Sequence, residues 1–180
     1  MGPDDASLKM KAADLLLKAQ LLTKAQHDRV AQIVKIGEER SEESILDEGI
    51  MSEPELLKAL ASLYRTQFVT AEKLAKVDIP RATVQLIAKK IAQALGVFPV
   101  VFNGETNTLS VVTSDPDHAD VLREVQLATG VKKVSAFVAR PRAIAAAISK
   151  HHDGDSRGFG AIEHAAGARA ALQIDLAVRS

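Results

Sequence analysis

The chain has no cysteine, no tryptophan and a single tyrosine among its 180 residues. The lack of thiols excludes disulfide frameworks, thiolate metal sites and cysteine nucleophiles. Aromatic residues make up only 3%, too few for the stacking platforms that hold single-stranded nucleic acid. Net charge is absent as well, because 23 basic and 23 acidic residues balance to zero. That balance argues against an electrostatic hold on nucleic acid or on an anionic membrane surface. No apolar run approaches the ~20 residues that span a bilayer, so direct membrane insertion is not expected. The start, Met1-Gly2-Pro3-Asp4-Asp5, is acidic and lacks the basic and then apolar layout of a signal peptide. A cytoplasmic protein is expected, held at a membrane only through a partner.

Phosphate-binding loops are missing too. No Gly-x-x-x-x-Gly-Lys-Ser/Thr run occurs, nor a Gly-x-Gly-x-x-Gly after a strand. Without backbone amides and a lysine to cradle phosphates, ATP hydrolysis has no physical basis in these residues. No serine or threonine sits in a nucleophile elbow. The expectation is a chain with no catalytic residues, no cofactor and no metal.

Hydrophobic residues reach 47% and charged residues 26%, a globular balance with room for one ordinary domain or two small ones. With so few rings, the core must come from Leu, Ile, Val and Ala. Residues 1–78 carry helical punctuation. Leu8, Ala12, Leu15, Leu16 and Ala19 recur near helical spacing. Thr23 stands three residues before Gln26 in a capping-box pattern, and a helix from Lys24 to about Ile36 stops at Gly37. A short helix from Ser41 to Glu48 ends at Gly49. Ser52 then caps a further helix, with Pro54 in its first turn and Glu55 completing a second box. Leu16 and Ile45, Leu22 and Met51, and Thr23 and Ser52 lie 29 positions apart. The region reads as two degenerate 29-residue repeats packed as a four-helix unit.

After Asp78 the pattern changes. Pro80 opens a helix running to about Leu95 and closed by Gly96. A strand follows from Val97 to Phe102, then the hairpin signal Asn103-Gly104 and a returning strand, Leu109 to Thr113. Asp115-Pro116 is expected to cap a helix from Asp117 to Thr129, ahead of a strand from Lys133 to Ala139 and a helix from Pro141 to about His151. The fold class is therefore α+β: a helical tandem-repeat bundle over 1–78, then a small three-stranded domain over 79–152 with helices on one face of its sheet. Residues 153–180 read as a linker or tail with little core-forming power.

Candidate chemistry is sparse. His151-His152-Asp153 is the only cluster of metal-ligand type, but neighbours on a helix point about 100° apart, so a solvated helix end is the expectation. His27 reads as a packing residue and His118 as first-turn surface. Glu38-Glu39 and Glu42-Glu43 read as charged helical faces. The pairs Lys89-Lys90, Lys132-Lys133 and Arg140/Arg142 could form a docking patch; a DNA-linked regulator is a third reading that the neutral charge disfavours.

Several runs carry a resemblance: Ile79-Pro80 ahead of a helix, Gly96-Val97-Phe98-Pro99-Val100, Asn103-Gly104, Leu109 through Asp115-Pro116, Thr129-Gly130, and Ala143 to His151. In this order they resemble the N-terminal domain of the type II secretion and type IV pilus assembly ATPases. The first half resembles the helical segment that precedes that domain, which also carries tandem repeats. The resemblance implies a module that docks its ATPase to a cytoplasmic domain of the inner-membrane platform, or to another motility regulator. The family's chemistry lies in a separate motor domain, whose motifs these residues do not contain.

In one branch of that family the repeats bind cyclic di-GMP, each copy opening with Arg-Leu-Gly and continuing through a leucine, a glycine, Leu-Ser and a late Ala-Leu. The second copy here keeps Arg40, Ile45, Gly49, Met51-Ser52, Leu56 and Ala59-Leu60, but Ser41 and Glu42 stand where Leu-Gly is expected. The first copy has Lys11-Ala12-Ala13 at its opening, Gln20 for the glycine and His27 for a leucine. Backbone must approach such a ligand closely, so side chains at Gln20 or Glu42 intrude, and the Glu42 carboxylate repels a phosphodiester. A non-catalytic protein-interaction module is therefore the leading expectation. The alternative is a cyclic di-GMP receptor that uses Arg40, Gly49 and Ser52.

Overall fold

The computed structural model describes residues 4–166 and divides the chain into two compact units, Met1–Phe68 and Val69–Ser180. The first unit holds α1 (Asp4–Lys18), α2 (Lys24–Ile36), α3 (Ser41–Asp47) and α4 (Glu53–Tyr64). Helix α1 touches the other three, and Ala12, Ala13 and Leu16 on its inner face are fully buried with Val30, Ile45, Leu56, Leu57 and Leu60. Thr23 and Gln26 form the reciprocal capping box that their spacing predicts. At Ser52 only half of the second box forms. Its hydroxyl accepts the Glu55 N–H, but the Glu55 carboxylate accepts from that hydroxyl at 2.9 Å instead of from the backbone N–H.

The second unit begins with α5 (Ala71–Lys76), which the sequence reading does not contain. Thr70 caps it by accepting the Lys73 N–H, and Leu74 is fully buried. The unit continues through α6 (Arg81–Val84), α7 (Lys89–Leu95), β1 (Val97–Asn103), β2 (Thr108–Thr113), α8 (Ala119–Thr129), β3 (Lys133–Val138) and α9 (Pro141–Asp153). Lys150 of α9 donates to the Ala75 carbonyl at 2.6 Å, and Val69 N–H donates to Val138 O at 3.0 Å. These bonds place residues 69–78 in the second unit, whereas composition puts the boundary after residue 78.

The sheet runs β1-β2-β3, with β1 antiparallel to β2 and β3 parallel to it. A parallel pair needs a crossover, and α8 supplies it. Neighbouring residues Val97 and Phe98, and likewise Val111 and Val112, are all buried. Alternate residues point to opposite faces, so this end of the sheet is covered on both sides and not on one.

Four local expectations are corrected. The helix from Pro80 to Leu95 is two short helices, because Ala88 is extended (φ −61, ψ 147) and the break carries Ile87 into the core. The hairpin is not a two-residue Asn-Gly turn. Gly104 to Asn107 form a longer loop in which the Asn103 carboxamide oxygen accepts the Glu105 and Thr106 N–H groups, and Asn107 has φ 51. His118, not Asp115, caps α8 by accepting the Val121 N–H on its ring. Residues 157–166 are helical, with Phe159 and Ile162 buried in the core, so 153–166 is not merely linker. The alanine-rich stretch beyond residue 166 lies outside the described residues.

Candidate functional site

The repeat region is built by one turn used twice. Helix α1 ends at Lys18 and α3 at Asp47; α2 begins at Lys24 and α4 at Glu53, the same 29-residue offset. In the second copy Gly49 N–H donates to Leu46 O at 3.1 Å and Ile50 N–H to Ile45 O at 3.1 Å. In the first, Gln20 N–H donates to Leu17 O at 3.0 Å and Leu21 N–H to Leu16 O at 2.8 Å. Both are Schellman-type helix ends, which need a left-handed residue. Gly49 has φ 69 and Gln20 has φ 63. The glutamine thus takes the glycine's conformation, and the repeat is present in the backbone where the side chains hide it.

A Cβ built at Gly49 would meet no other atom of the chain within 4 Å, so within the chain itself its φ, and not close packing, calls for glycine. Three residues on, the exposed Ser52 hydroxyl caps α4. Gly49 and Ser52 therefore share the α3–α4 turn. Arg29 reaches this turn from α2, its Nε 2.7 Å from the Glu48 carboxylate.

Arg40 stands apart from them. It is the N-cap residue of α3, and a helix of seven residues is about 10 Å long, so it lies at the far end from Gly49. Its Nε is 3.1 Å from Glu42 Oε2 and 3.3 Å from Oε1. The Glu42 side chain is 1% exposed and that of Arg40 is 18% exposed. Residues Ser41 to Leu46 are buried throughout, so Glu42 and Glu43 are not a solvated charged face as helical spacing suggests. The Ser41 hydroxyl accepts the Ala13 N–H of α1 at 3.2 Å. The sequence shows that Glu42 replaces a glycine; it does not show that the carboxylate turns inward onto Arg40.

The histidines also differ from expectation. His27 packs as expected, its Nε2 2.7 Å from Asp14 Oδ1. His151 and His152 are not a solvated end: both rings lie against Phe98, with centroids 5.1 and 6.5 Å away. Burial, with Lys150 and His152 nearby, pushes the His151 imidazole below its usual range, against the opposing pull of Asp78. Among the described residues no group of three or more His, Cys, Asp or Glu is placed to hold a metal ion. No helix there is long and apolar enough to cross a membrane.

Comparison with known proteins agrees with this architecture. The structure is similar to that of MshE with cdg, at TM-score 0.58 and 18% identity, covering 78% of this chain and 97% of that one. It is also similar to the N-terminal domain of XpsE, at TM-score 0.54 and 18% identity, covering 83% of this chain and 98% of that one. No curated protein sequence matches. The MshEN domain model matches residues 64–158, more than half of the chain. The chain belongs to the MshEN domain family, the N-terminal domain of type II secretion and type IV pilus assembly ATPases that its residue order resembles.

Proposed function

We propose that this chain is a non-catalytic, cytoplasmic docking module of a secretion, pilus or motility machine, binding a cytoplasmic domain of a platform protein or another motility regulator. The observation that carries this reading over a nucleotide receptor is the Arg40–Glu42 pair. The arginine that opens the repeat is already neutralised by a carboxylate that is 1% exposed. A phosphodiester on Arg40 would lie beside that carboxylate, a like-charge contact in poorly solvated surroundings that is unfavourable. Exposed apolar side chains, Leu21, Ile36 and Leu63, remain on the helical unit and suit a protein partner.

A second reading has its own support. The similar MshE structure contains cdg, which we read as cyclic di-GMP, and both repeat turns keep their left-handed residue and capping hydroxyl. Calorimetric titration with cyclic di-GMP at physiological salt separates the two. The docking reading expects no saturable heat. Binding near micromolar, about −8 kcal/mol, that is lost in Arg40→Ala would replace it with the receptor reading. A parallel titration with the platform protein's cytoplasmic domain is expected to saturate and to be unaffected by the dinucleotide.

A further inference from the structure

The second unit contains a polar cavity that the docking reading does not use. It measures about 240 Å³ and is lined by Ile79, Arg81, Val84, Gln85, His151 and His152. The Nε2 atoms of both imidazoles are buried without a hydrogen-bond partner. A buried unpaired nitrogen carries a desolvation cost that a partner would recover. Both side chains line the cavity, so a group bound there meets these two rings.

The surrounding charges favour an anion. Arg81 is exposed and makes no ion pair among the described residues. On α9, Lys150 lies beside His151, and Asp153 is held at 2.7 Å by Lys89 of α7. On α5, Lys76 and Glu72 pair with each other at 2.9 Å. Asp78, ahead of α6, is the one carboxylate acting on His151 that is not so paired. β1 presents Phe98 to both rings and carries no charged residue. Arg81, Gln85 and two imidazoles offer more donors than a planar carboxylate can use, whereas a tetrahedral oxyanion accepts from all of them.

We propose that this cavity binds a phosphate group, with Arg81 pairing its charge and His151, His152 and Gln85 donating to its oxygens. Imidazolium donates from both nitrogens, so binding strengthens as the pH falls.

The test is a titration of the full chain with ¹⁵N-labelled imidazoles followed by NMR. The probes are inorganic phosphate and dimethyl phosphate, whose single charge does not change near neutrality. The His151 and His152 signals are expected to shift together and saturably. Affinity for dimethyl phosphate should fall between about pH 6 and about pH 8. Arg81→Ala, a surface change, should weaken binding roughly tenfold or more while leaving the remaining amide spectrum intact. Tighter binding of the diester assigns an esterified phosphate, and tighter binding of inorganic phosphate assigns the free anion. Absence of a saturable shift with both probes, or shifts that persist undiminished in Arg81→Ala, would overturn the proposal.

Discussion

At Gln20 and Gly49 the same left-handed backbone is occupied by residues of unequal tolerance for it. A side chain at positive φ is strained, and glycine is not. Gln20→Gly should therefore stabilise the helical unit by about 0.5–1 kcal/mol, and Gly49→Ala should destabilise it by about 1 kcal/mol, both read from urea unfolding. Equal effects of the same sign would show that the two turns are not equivalent. His151 gives a pH signature. Its folded-state pKa lies below the ordinary histidine value because burial, then Lys150 and His152, disfavour the cation. Stability is thus fully present above about pH 6.5 and declines as the pH falls through the depressed folded value, since the unfolded chain takes the proton first. His151→Gln should flatten this decline in unfolding curves measured across that window. The position of His151 on the chain announces a helix end; the Phe98 ring against which it packs lies 53 residues earlier and leaves no local mark.

Among the elements, the hairpin shows how a strong local signal can indicate the right structure for the wrong reason. Asn103-Gly104 marks the reversal between β1 and β2, yet Gly104 does not hold the left-handed conformation; Asn107 does. The Asn103 carboxamide folds the chain by accepting two loop N–H groups. Gly104→Ala should therefore change stability by less than ~0.5 kcal/mol, and Asn107→Gly should stabilise by a similar amount, in thermal or urea melts. A loss of more than 1 kcal/mol on Gly104→Ala would restore the two-residue turn. Helix ends marked by local chemistry, such as Thr23, Ser52, Gly96 and Gly130, were legible because a cap satisfies orphan groups within a few residues. The break at Ala88 was not, because it exists to place Ile87 in a core formed by distant strands.

For the whole molecule, the boundary between units is the feature that composition misplaces. α5 has too short an apolar pattern to announce itself, but Leu74 is buried and the Ala75 carbonyl accepts a hydrogen bond from the Lys150 ammonium. A fragment beginning at Val69 should fold, with dispersed amide signals and a cooperative melt. A fragment beginning at Ile79 removes Ala71 and Leu74 from the core and should melt at least about 3 kcal/mol less stable, or fail to fold. Equal stability of the two fragments would put the boundary back after Asp78. The amino-acid sequence by itself determined the helical repeat, the order of helices and strands after it, and the absence of a phosphate loop, because caps, periodicity and motifs act over a few residues. Only the tertiary structure decided that Glu42 turns onto Arg40, that two imidazoles leave solvent for Phe98, and that α5 joins the second unit. Those outcomes depend on which surfaces are buried against each other, and burial is a property of the folded chain.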